Sequence, residues 1–225
     1  MNTAIIVAAG SGSRFASVTP KQFAPLLGKP VIIHTLERFD ACPVIDEIVL
    51  VLSESGRHEF AAIGGRFDIA KLRSVVTGGS TRAESVRNGL DSIDRTAANV
   101  VAVHDGARPL VSVDEITLTV EKASETGAAC LVGEVTDTIK EVSDGHVSRT
   151  IDRVKLRRAL TPQAFRYEIL RAAFAAAELN ESVSDECYLV ERMGVDIAYV
   201  EGNARNIKIT RAEDLILAAS LLQNL

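Results

Sequence analysis

The sequence predicts an α/β fold of the Rossmann-like kind, with a mostly parallel, twisted sheet that carries helices on both faces. Short apolar runs typical of buried strands, such as residues 4–8 and 99–103, alternate along the chain with segments of helical period. This alternation is typical of right-handed β-α-β units. Because 225 residues are enough to bury one substantial core, we expect residues 1–225 to form a single domain.

The predicted elements follow one another in a regular order. Up to residue 132 they are a strand at 4–8, a helix from Pro30, strands at 47–52 and 74–77, a helix from near Thr81, a strand at 99–103, a helix, and a strand at 128–132. Ser112 and Glu115 have the spacing of a capping box that starts the last of these helices, and Gly127 can end it. Beyond residue 153 they are a helix at 164–179, a shorter helix from Asp185, strands at 197–200 and 206–209, and a final helix capped by Thr210 and Glu213.

A β-hairpin arm is inserted into this alternation at about residues 136–153. Residues 138–142 and 146–151 are two partly polar strands, and Asp144-Gly145 between them is a hairpin-turn sequence. An isolated two-stranded hairpin is only marginally stable in water. The arm therefore either packs on a second copy of the chain, as a dimerisation arm, or remains a surface hairpin.

The composition disfavours several classes of protein. A net charge of −5 without a Lys/Arg cluster disfavours a nucleic-acid surface. The three cysteines, Cys42, Cys130 and Cys187, are odd in number and far apart, which favours reduced core residues over disulfides. The histidines form no metal-binding array, and no apolar run reaches membrane-spanning length. We therefore expect a soluble, cytoplasmic protein without a structural metal.

A glycine-rich loop with two cations follows the first predicted strand. Gly10 and Gly12 let the backbone approach an anion closely, and Arg14 and Lys21 supply positive charge. The spacing fits neither a dinucleotide fingerprint, which needs a third glycine where Phe15 stands, nor a P-loop. The segment is therefore either a phosphate-binding loop of another kind or a Gly/Ser turn with solvated charges.

Three polar loops are predicted to meet at one edge of the sheet, where ligands of open parallel sheets bind. They are residues 8–22, 78–85 and 104–109. Asp105 can meet a ribose hydroxyl or a metal-bound phosphate, or it can cap the turn that follows it. Arg108 can clamp a phosphate or pair with a surface carboxylate. Lys208 is either an active-site cation or a solvated lysine.

Eight short motifs occur in order along the whole chain. They are AAGSGSR at 8–14, PKQ at 20–22, GGxxRxxSV at 78–86, HDGARP at 104–109, DTIK at 137–140, DR at 152–153, LTPQ at 160–163 and NIKIT at 206–210. Each is weak alone, but together they are a specific signal. In these motifs the sequence resembles the 2-C-methyl-D-erythritol 4-phosphate cytidylyltransferase family of the nonmevalonate isoprenoid pathway.

The resemblance implies a nucleotidyltransferase that joins CTP to methylerythritol phosphate and releases pyrophosphate, with Mg²⁺ bound mainly through the CTP phosphates. It implies catalytic roles for Arg14, Lys21, Arg153 and Lys208, nucleotide contacts by Ala8, Ala9, Gly10, Gly12, Gly79, Ser80, Ser85, Asp105 and Gly106, and substrate contacts by Arg108, Thr138, Thr161 and Ser184. It also implies a homodimer in which the arm carries Thr138 and Arg153 into the partner site. Ser80 and Ser184 depart from the aspartate and threonine more usual in the family.

The chemistry implied by this resemblance agrees with what the sequence lacks. No Ser-His-Asp set, carboxylate pair or thiolate nucleophile is apparent in the sequence. A phosphate monoester needs none of them, because its oxygen is already ionised at neutral pH. Relief of repulsion between two polyanions is what the reaction requires, and arginines, lysines and Mg²⁺ supply it.

Three alternatives differ from this interpretation in substrate or class. A cytidylyltransferase for another polyol phosphate, such as ribitol 5-phosphate, shares the glycine loop and the PKQ step, but the segment 149–153 favours the methylerythritol member. A nucleotide-binding regulator is expected to have lost Arg14 or Lys21, and both are present. A pyridine-nucleotide dehydrogenase is disfavoured by the glycine spacing. Side-chain identity does not decide between cytosine and uracil.

Overall fold

The computed structural model describes residues 1–10, 15, 20–179 and 183–223. The strands of the described part are β1 (Asn2–Ala8), β2 (Pro25–Leu26), β3 (Lys29–Pro30), β4 (Glu47–Leu52), β5 (Leu72–Thr77), β6 (Val100–Asp105), β7 (Ala128–Glu134), β8 (Ile139–Ser143), β9 (His146–Ile151), β10 (Arg157–Arg166) and β11 (Ala198–Glu201). The helices are α1 (Val31–Asp40), α2 (Glu54–Gly64), α3 (Arg82–Asp91), α4 (Val113–Thr126), α5 (Tyr167–Ala176), α6 (Glu186–Glu191) and α7 (Ala212–Gln223). Short 3-10 helices lie at Lys21–Phe23 and Arg153–Lys155.

The central sheet has seven strands in the order β11-β7-β10-β6-β1-β4-β5. Strand β10 runs antiparallel to β6 and β7, and the remaining strand pairs of this sheet are parallel. The predicted mostly parallel α/β fold is therefore confirmed. After β5 the chain crosses to the other side of β1, so the strand order reverses between β1 and β6. That reversal is where open α/β sheets leave a crevice for ligands.

Two hydrophobic cores cover the two faces of the sheet. Alternate residues of β1 point to opposite faces, so that Ile6 enters one core and Ile5 the other. The first core is closed by α1, α2 and α4, and the second by α3, α5 and α6. Helix α7 packs on a smaller cluster that includes Phe15 and Leu110. The predicted helices on both faces are confirmed.

Local signals place several helices correctly. Thr81 and Ser112 each cap a helix with a complete capping box, through Glu84 and Glu115. Helix α4 ends at Gly127, whose φ of 96° lies in the region that favours glycine. Helix α2 was not predicted. Its N-cap is Ser53, whose hydroxyl accepts a hydrogen bond from the Gly56 N–H.

The predicted bounds of α5, residues 164–179, are wrong, and strand β10 before it was not predicted. Residues 164–166 belong to β10, and α5 begins only at Tyr167 and ends at Ala176. The residues 160–165 of β10 are all buried, because the strand lies inside the sheet between β6 and β7. A strand buried on both faces lacks the alternation of a half-exposed strand, so its alanine-rich end looks helical in sequence.

Two predictions near the C-terminal helix are also wrong. Residues 206–209 form no strand, although the Ile209 N–H donates to the Ala107 carbonyl at 2.8 Å and ties this segment to the loop after β6. At the start of α7 the Asp214 carboxylate, not Glu213, accepts hydrogen bonds from the Thr210 N–H at 2.7 Å and its hydroxyl at 2.8 Å. The segment before α7 is thus held by hydrogen bonds outside any sheet.

The hairpin arm is confirmed as β8 and β9. Asp144 and Gly145 have φ values of 50° and 78°, as the two central residues of a type I′ turn require. The arm projects into solvent, and the side chains of Val142 and Val147 are 67% and 62% exposed. Packing of this arm on a second copy of the chain stays a prediction.

Two further sequence expectations concern the cysteines and membrane spans. Cys42, Cys130 and Cys187 are buried and free, as the sequence predicted. Within residues 1–10, 15, 20–179 and 183–223, every helix is too short or too polar to cross a membrane.

Candidate active site

A cleft opens at the carboxyl ends of β1 and β6, where the strand order reverses. Its cavity has a volume of about 310 Å³. Five segments line it: the end of β1, the Lys21–Phe23 turn, the loop between β5 and α3 with the start of α3, the loop after β6, and the segment before α7. The lining residues are Val7, Ala8, Ala9, Gly10, Lys21, Gln22, Gly79, Ser80, Thr81, Arg82, Ser85, Asp105, Ala107 and Lys208.

The loop after β5 lies directly against the loop after β1. A Cβ atom at Gly78 would lie 2.5 Å from the Ala9 Cβ and 2.7 Å from the Ser85 hydroxyl oxygen, so only glycine fits. The same hydroxyl accepts a hydrogen bond from the Gly79 N–H at 3.1 Å and donates to the Thr81 carbonyl at 2.9 Å. Ser85 therefore fixes the shape of this wall of the cleft.

Lys21 reaches the cleft from a one-turn 3-10 helix. The next residue, Gln22, is buried, and its side-chain amide donates to the Ala8 carbonyl at 3.1 Å. Phe23 packs in the core beneath the turn. These two anchors hold the turn against the end of β1 and place Lys21 in the cavity wall.

Asp105 lies at the centre of a group of three cations. Its Oδ1 accepts from the Arg82 Nε at 3.2 Å. Its Oδ2 accepts from the Arg108 Nε at 3.3 Å and lies 2.8 Å from the Lys208 Nζ. One buried carboxylate therefore holds three positive side chains around the floor of the cleft.

This arrangement sets the charge state of Asp105. Burial alone would raise the pKa of the carboxyl, but Arg82, Lys208 and Arg108 together hold that pKa well below its usual range. For Arg82, burial lowers the pKa, but the Glu186 and Asp105 carboxylates outweigh it and hold the pKa above the ordinary value. Asp105 and Arg82 are thus charged at neutral pH, and the three cations outnumber the carboxylate they share.

His104 and Thr161 form the layer beneath Asp105. The Thr161 hydroxyl accepts from the Asp105 backbone N–H at 3.1 Å and lies 3.0 Å from the His104 Nδ1. The other ring nitrogen, Nε2, lies 3.2 Å from the Arg108 carbonyl, which can only accept. The neutral ring therefore carries its proton on Nε2, and the Thr161 hydroxyl donates to Nδ1. Burial lowers the pKa of His104 to about 3, so the ring is neutral at physiological pH.

The depressed pKa of His104 predicts a loss of stability in mild acid. Below about pH 6.5 the unfolded chain binds a proton at this histidine, whereas the folded chain does so only near pH 3. The free energy of unfolding is therefore expected to fall by about 2–3 kcal/mol between pH 7 and pH 4.5 through this group. Urea unfolding at both pH values measures the drop, which should shrink by this amount in His104→Gln.

His146 on the exposed arm supplies the control for this measurement. His146→Gln should leave the free energy of unfolding at pH 7 close to that of the parent chain, because the His146 side chain is exposed. An equal drop in the parent chain and in His104→Gln would show that His104 titrates alike in the folded and unfolded chains.

Arg82 connects Asp105 to a second buried carboxylate. Its NH1 donates to Glu186 Oε1 at 2.6 Å, and the Glu186 side chain is fully buried. Glu186 begins helix α6, whose N-cap is Asp185. The Gln163 side chain of β10 joins this helix to the sheet, because its amide donates to Asp185 Oδ2 at 2.8 Å and its carbonyl accepts from the Glu186 N–H at 3.2 Å.

The structure brings most of the predicted site residues of the described chain together. Those that line the cavity are Ala8, Ala9, Gly10, Lys21, Gly79, Ser80, Ser85, Asp105 and Lys208. Gly106, Arg108 and Thr161 adjoin it from behind Asp105, and Arg108 donates from NH1 to the Asn206 carbonyl at 2.9 Å. Gly12 and Arg14 lie outside the described residues.

Three predicted residues do not line this cavity. Thr138, Arg153 and Ser184 are exposed and do not line it. The Arg153 guanidinium donates to the Thr136 carbonyl within the root of the arm. Within one chain, therefore, the arm residues and the cleft residues are separate.

Sequence reasoning missed the roles of Arg82, Glu186 and Gln163. Arg82 belongs to the GGxxRxxSV motif and Gln163 to the LTPQ motif, so the sequence singled out both positions. The motifs did not indicate which residues these two side chains contact. Glu186 pairs with a residue 104 positions away in the chain. Only the folded structure reveals that pairing.

Comparisons with known proteins agree along the whole chain. The family model described as IspD, 2-C-methyl-D-erythritol 4-phosphate cytidylyltransferase, matches residues 2–224. Proteins of that name from Syntrophotalea carbinolica and Bacillus velezensis are each 42% identical, over 97% of this chain and 94% of theirs.

Solved structures give the same result. The 4-diphosphocytidyl-2C-methyl-D-erythritol synthase of Anaerococcus prevotii superposes with a TM-score of 0.84 at 31% identity, over 99% of this chain and 96% of that one. The cytidylyltransferase of Thermus thermophilus superposes with a TM-score of 0.77 at 31% identity, over 99% of this chain and all of that one (100%). The chain belongs to the 2-C-methyl-D-erythritol 4-phosphate cytidylyltransferase family.

Proposed function

We propose that the cleft between β1 and β6 is where this chain carries out the reaction of its family. That reaction transfers CMP from CTP to 2-C-methyl-D-erythritol 4-phosphate, giving 4-diphosphocytidyl-2-C-methyl-D-erythritol and pyrophosphate. The observation that carries the proposal is the convergence of Lys21, Arg82 and Lys208 on one cavity at the point where the strand order reverses. A site that must hold two polyanions close together needs such a cluster of cations.

The chemistry needs positioning more than it needs a base. The attacking group is a phosphate oxygen of the acceptor, which is ionised at neutral pH. It bonds to the α-phosphorus of CTP as the bond to the bridging oxygen of the pyrophosphate breaks, and both electrons of that bond leave with pyrophosphate. The protein accelerates this step by holding the two phosphates in line and by neutralising their charge.

The nucleoside half of CTP fits the wall formed by the loops after β1 and β5. Backbone groups of Ala8, Ala9 and Gly79, with Ser80 and Ser85 beside them, line that wall. Gly10 continues it towards the phosphates. We assign the ribose to Asp105 and Gly106, because Asp105 lines the cleft, is ionised and can accept a hydrogen bond from a hydroxyl.

The phosphate half fits the cationic side of the cleft. Lys21 and Lys208 would contact the phosphate oxygens, and Lys208 is anchored by Asp105 at 2.8 Å. Contact of Arg108 and Thr161 with the sugar phosphate stays a prediction. Their described contacts support a further role, because both hold Asp105 in place.

Mg²⁺ fits this site as a partner of the phosphates rather than of a protein cage. Within the described residues no group of three or more His, Cys, Asp or Glu is placed to hold a metal, and the Asp105 oxygens already accept from three cations. Mg²⁺ usually keeps several waters and binds substrate phosphates with few carboxylates. When bound, it would withdraw charge from the triphosphate oxygens.

The arm residues enter the proposal through a second copy of the chain. Arg153 and Thr138 lie away from the cleft of their own chain, and the arm is exposed, with apolar side chains towards solvent. We propose a homodimer in which Arg153 and Thr138 cross the interface and complete the acceptor site of the partner subunit. Contact of Ser184 with the acceptor stays a prediction. The three free, buried cysteines are typical of a reducing compartment, which supports a cytoplasmic location.

Subunit complementation tests this shared site. Lys21→Ala and Arg153→Ala chains should each be nearly inactive alone, because each lacks one half of every site. In a hybrid dimer, one site has both residues intact and the other has neither. Co-expression should therefore restore roughly a quarter of wild-type activity, since random pairing makes half of the dimers hybrid with one working site each.

The control for this experiment is Arg149→Ala, also on the arm, where the guanidinium pairs with Glu141. It should remain active alone. Sedimentation measurements should show all variants as dimers. Hybrid dimers without activity would contradict a site shared between subunits.

One assay tests the proposed function itself. The protein is incubated with Mg²⁺, each of the four nucleoside triphosphates, and a panel of sugar and polyol phosphates, while pyrophosphate release is measured. CTP with methylerythritol phosphate should give the highest kcat/KM. Preference for ribitol 5-phosphate, or a shift of the melting temperature by NAD but not by CTP, would contradict the assignment.

A further inference from the structure

We propose that Glu186 is a positioning residue that holds the Arg82 guanidinium in the nucleotide wall of the cleft. The inference rests on the proposed function, because it assigns that wall to CTP. Arg82 lines the cavity beside Gly79, Ser80 and Ser85, the residues given to the nucleoside. Glu186 lies behind Arg82, is fully buried and does not line the cavity.

The geometry makes Glu186 the principal partner of Arg82. The bond from the Arg82 NH1 to Glu186 is 2.6 Å long, whereas the bond from Nε to Asp105 is 3.2 Å. Asp105 is also shared with Arg108 and Lys208. Glu186 has no other cation among the ion pairs of the described residues. The shorter, unshared bond therefore determines where the guanidinium lies.

Stability alone does not account for this pair. Arg82 is the first residue of α3, and a cation at a helix N-terminus is disfavoured by the helix dipole. Glu186 is 0% exposed, and its Oε2 has no hydrogen-bond partner within the described residues. Burying such a pair costs desolvation that apolar residues of similar size would avoid. A buried ion pair at this position, beside a ligand cavity, points to a role in holding Arg82 in place for CTP.

Glu186 is itself fixed from behind. Its backbone N–H and that of Cys187 donate to the Gln163 side-chain carbonyl at 3.2 and 3.1 Å. Gln163 belongs to β10, which lies inside the sheet. The sheet thus orients Gln163, Gln163 orients α6, and Glu186 at the start of α6 orients Arg82.

The test is a double-mutant cycle read by CTP binding. Titration calorimetry with CTP and Mg²⁺ gives the dissociation constant even for variants that turn over slowly. Glu186→Gln keeps the shape of the side chain but removes its charge, and it should weaken CTP binding by about tenfold. Arg82→Gln should weaken it at least as much. In the Arg82→Gln background, Glu186→Gln should have no further effect, because Glu186 acts through Arg82.

The matched control is Asp91→Asn. Asp91 is the last residue of helix α3, at the end opposite to Arg82. It pairs with Arg171 at 3.0 Å and does not line the cleft. It should leave CTP affinity unchanged. A merely structural role for Glu186 would give losses that add in the double variant, and that outcome would overturn the proposal, as would wild-type affinity in Glu186→Gln.

A second variant keeps the proposal testable if Glu186→Gln does not fold. Arg82→Lys keeps the positive charge but replaces the planar guanidinium, whose Nε and NH1 bond separately to Asp105 and Glu186, by a single nitrogen. It should also weaken CTP binding by about tenfold, and unchanged affinity would overturn the proposal. Failure of the wild-type chain to bind CTP would instead contradict the proposed function, so the two failures are distinguishable.

Discussion

Lys21→Ala is expected to lower kcat by about 10²–10³, or about 3–4 kcal/mol of transition-state stabilisation, while the fold remains intact. Lys21 lines the cavity from a turn whose anchors are its neighbours Gln22 and Phe23. Removal of the Lys21 side chain therefore removes charge without removing the supports of the turn. The lost charge matters most when negative charge builds up on the departing pyrophosphate, so kcat should fall more than KM rises.

Lys29→Ala is the matched control for this experiment. Lys29 carries the same charge a short distance along the chain, but it pairs with Glu37 at 2.7 Å and does not line the cleft. Its turnover should stay within about twofold of wild type. Steady-state rates of pyrophosphate release and a thermal melt measure activity and folding in the same samples. Normal kcat in Lys21→Ala would remove Lys21 from the catalytic step.

Asp105→Asn is expected to lower the free energy of unfolding by about 3–5 kcal/mol, because it leaves buried cations without their counter-charge. Arg108 is the clearest case. Its guanidinium is buried, and Asp105 is the only carboxylate with which it pairs among the described residues. Burial already lowers the pKa of Arg108, which is a sign that its charge depends on that partner. Urea unfolding at pH 7 measures the loss.

An added anion should distinguish the loss of the counter-charge from a simple packing defect in Asp105→Asn. With the carboxylate gone, Arg82, Arg108 and Lys208 are left to bind phosphate or CTP. The melting temperature of Asp105→Asn should therefore rise more with inorganic phosphate than that of wild type does, by mass action. Glu37→Gln, which removes the carboxylate of a half-exposed pair, should cost only about 1 kcal/mol or less. A loss as small in Asp105→Asn would contradict the role of Asp105 as the common partner of the three cations.

The sequence predicted those parts of the fold whose signals are local. Apolar runs placed β1, β4 and β6, and the capping box at Ser112 placed α4. The arm was identified because Asp144-Gly145 fits only a few turn types. Strand β10 was missed because its pattern is set by neighbours on both sides of the sheet, which the local sequence does not contain. The Asp214 contact to Thr210 was misassigned to Glu213 because either carboxylate lies within reach of a helix start.

The candidate site was predictable to the same extent. The loops after β1, β5 and β6 had to converge, since they follow the carboxyl ends of neighbouring parallel strands. What the sequence could not give was the pairing inside the cleft. The ion pair between Arg82 and Glu186, and the hydrogen bond from the Asp105 N–H to Thr161, join residues that only the order of strands brings together.

Strand β10 also determines where this enzyme tolerates changes in length. The strand starts at the root of the arm, where Arg157 lies opposite Glu134 of the neighbouring strand β7. It continues to Thr161 and Gln163 beneath the cleft. Gln163 is the point from which β10 is in register with both β6 and β7, so one residue inserted or deleted beside it would turn the side chains on one side of the change to the opposite face. Extra residues at the Asp144-Gly145 turn would only lengthen the tip. Natural variation in arm length should therefore be confined to the tip.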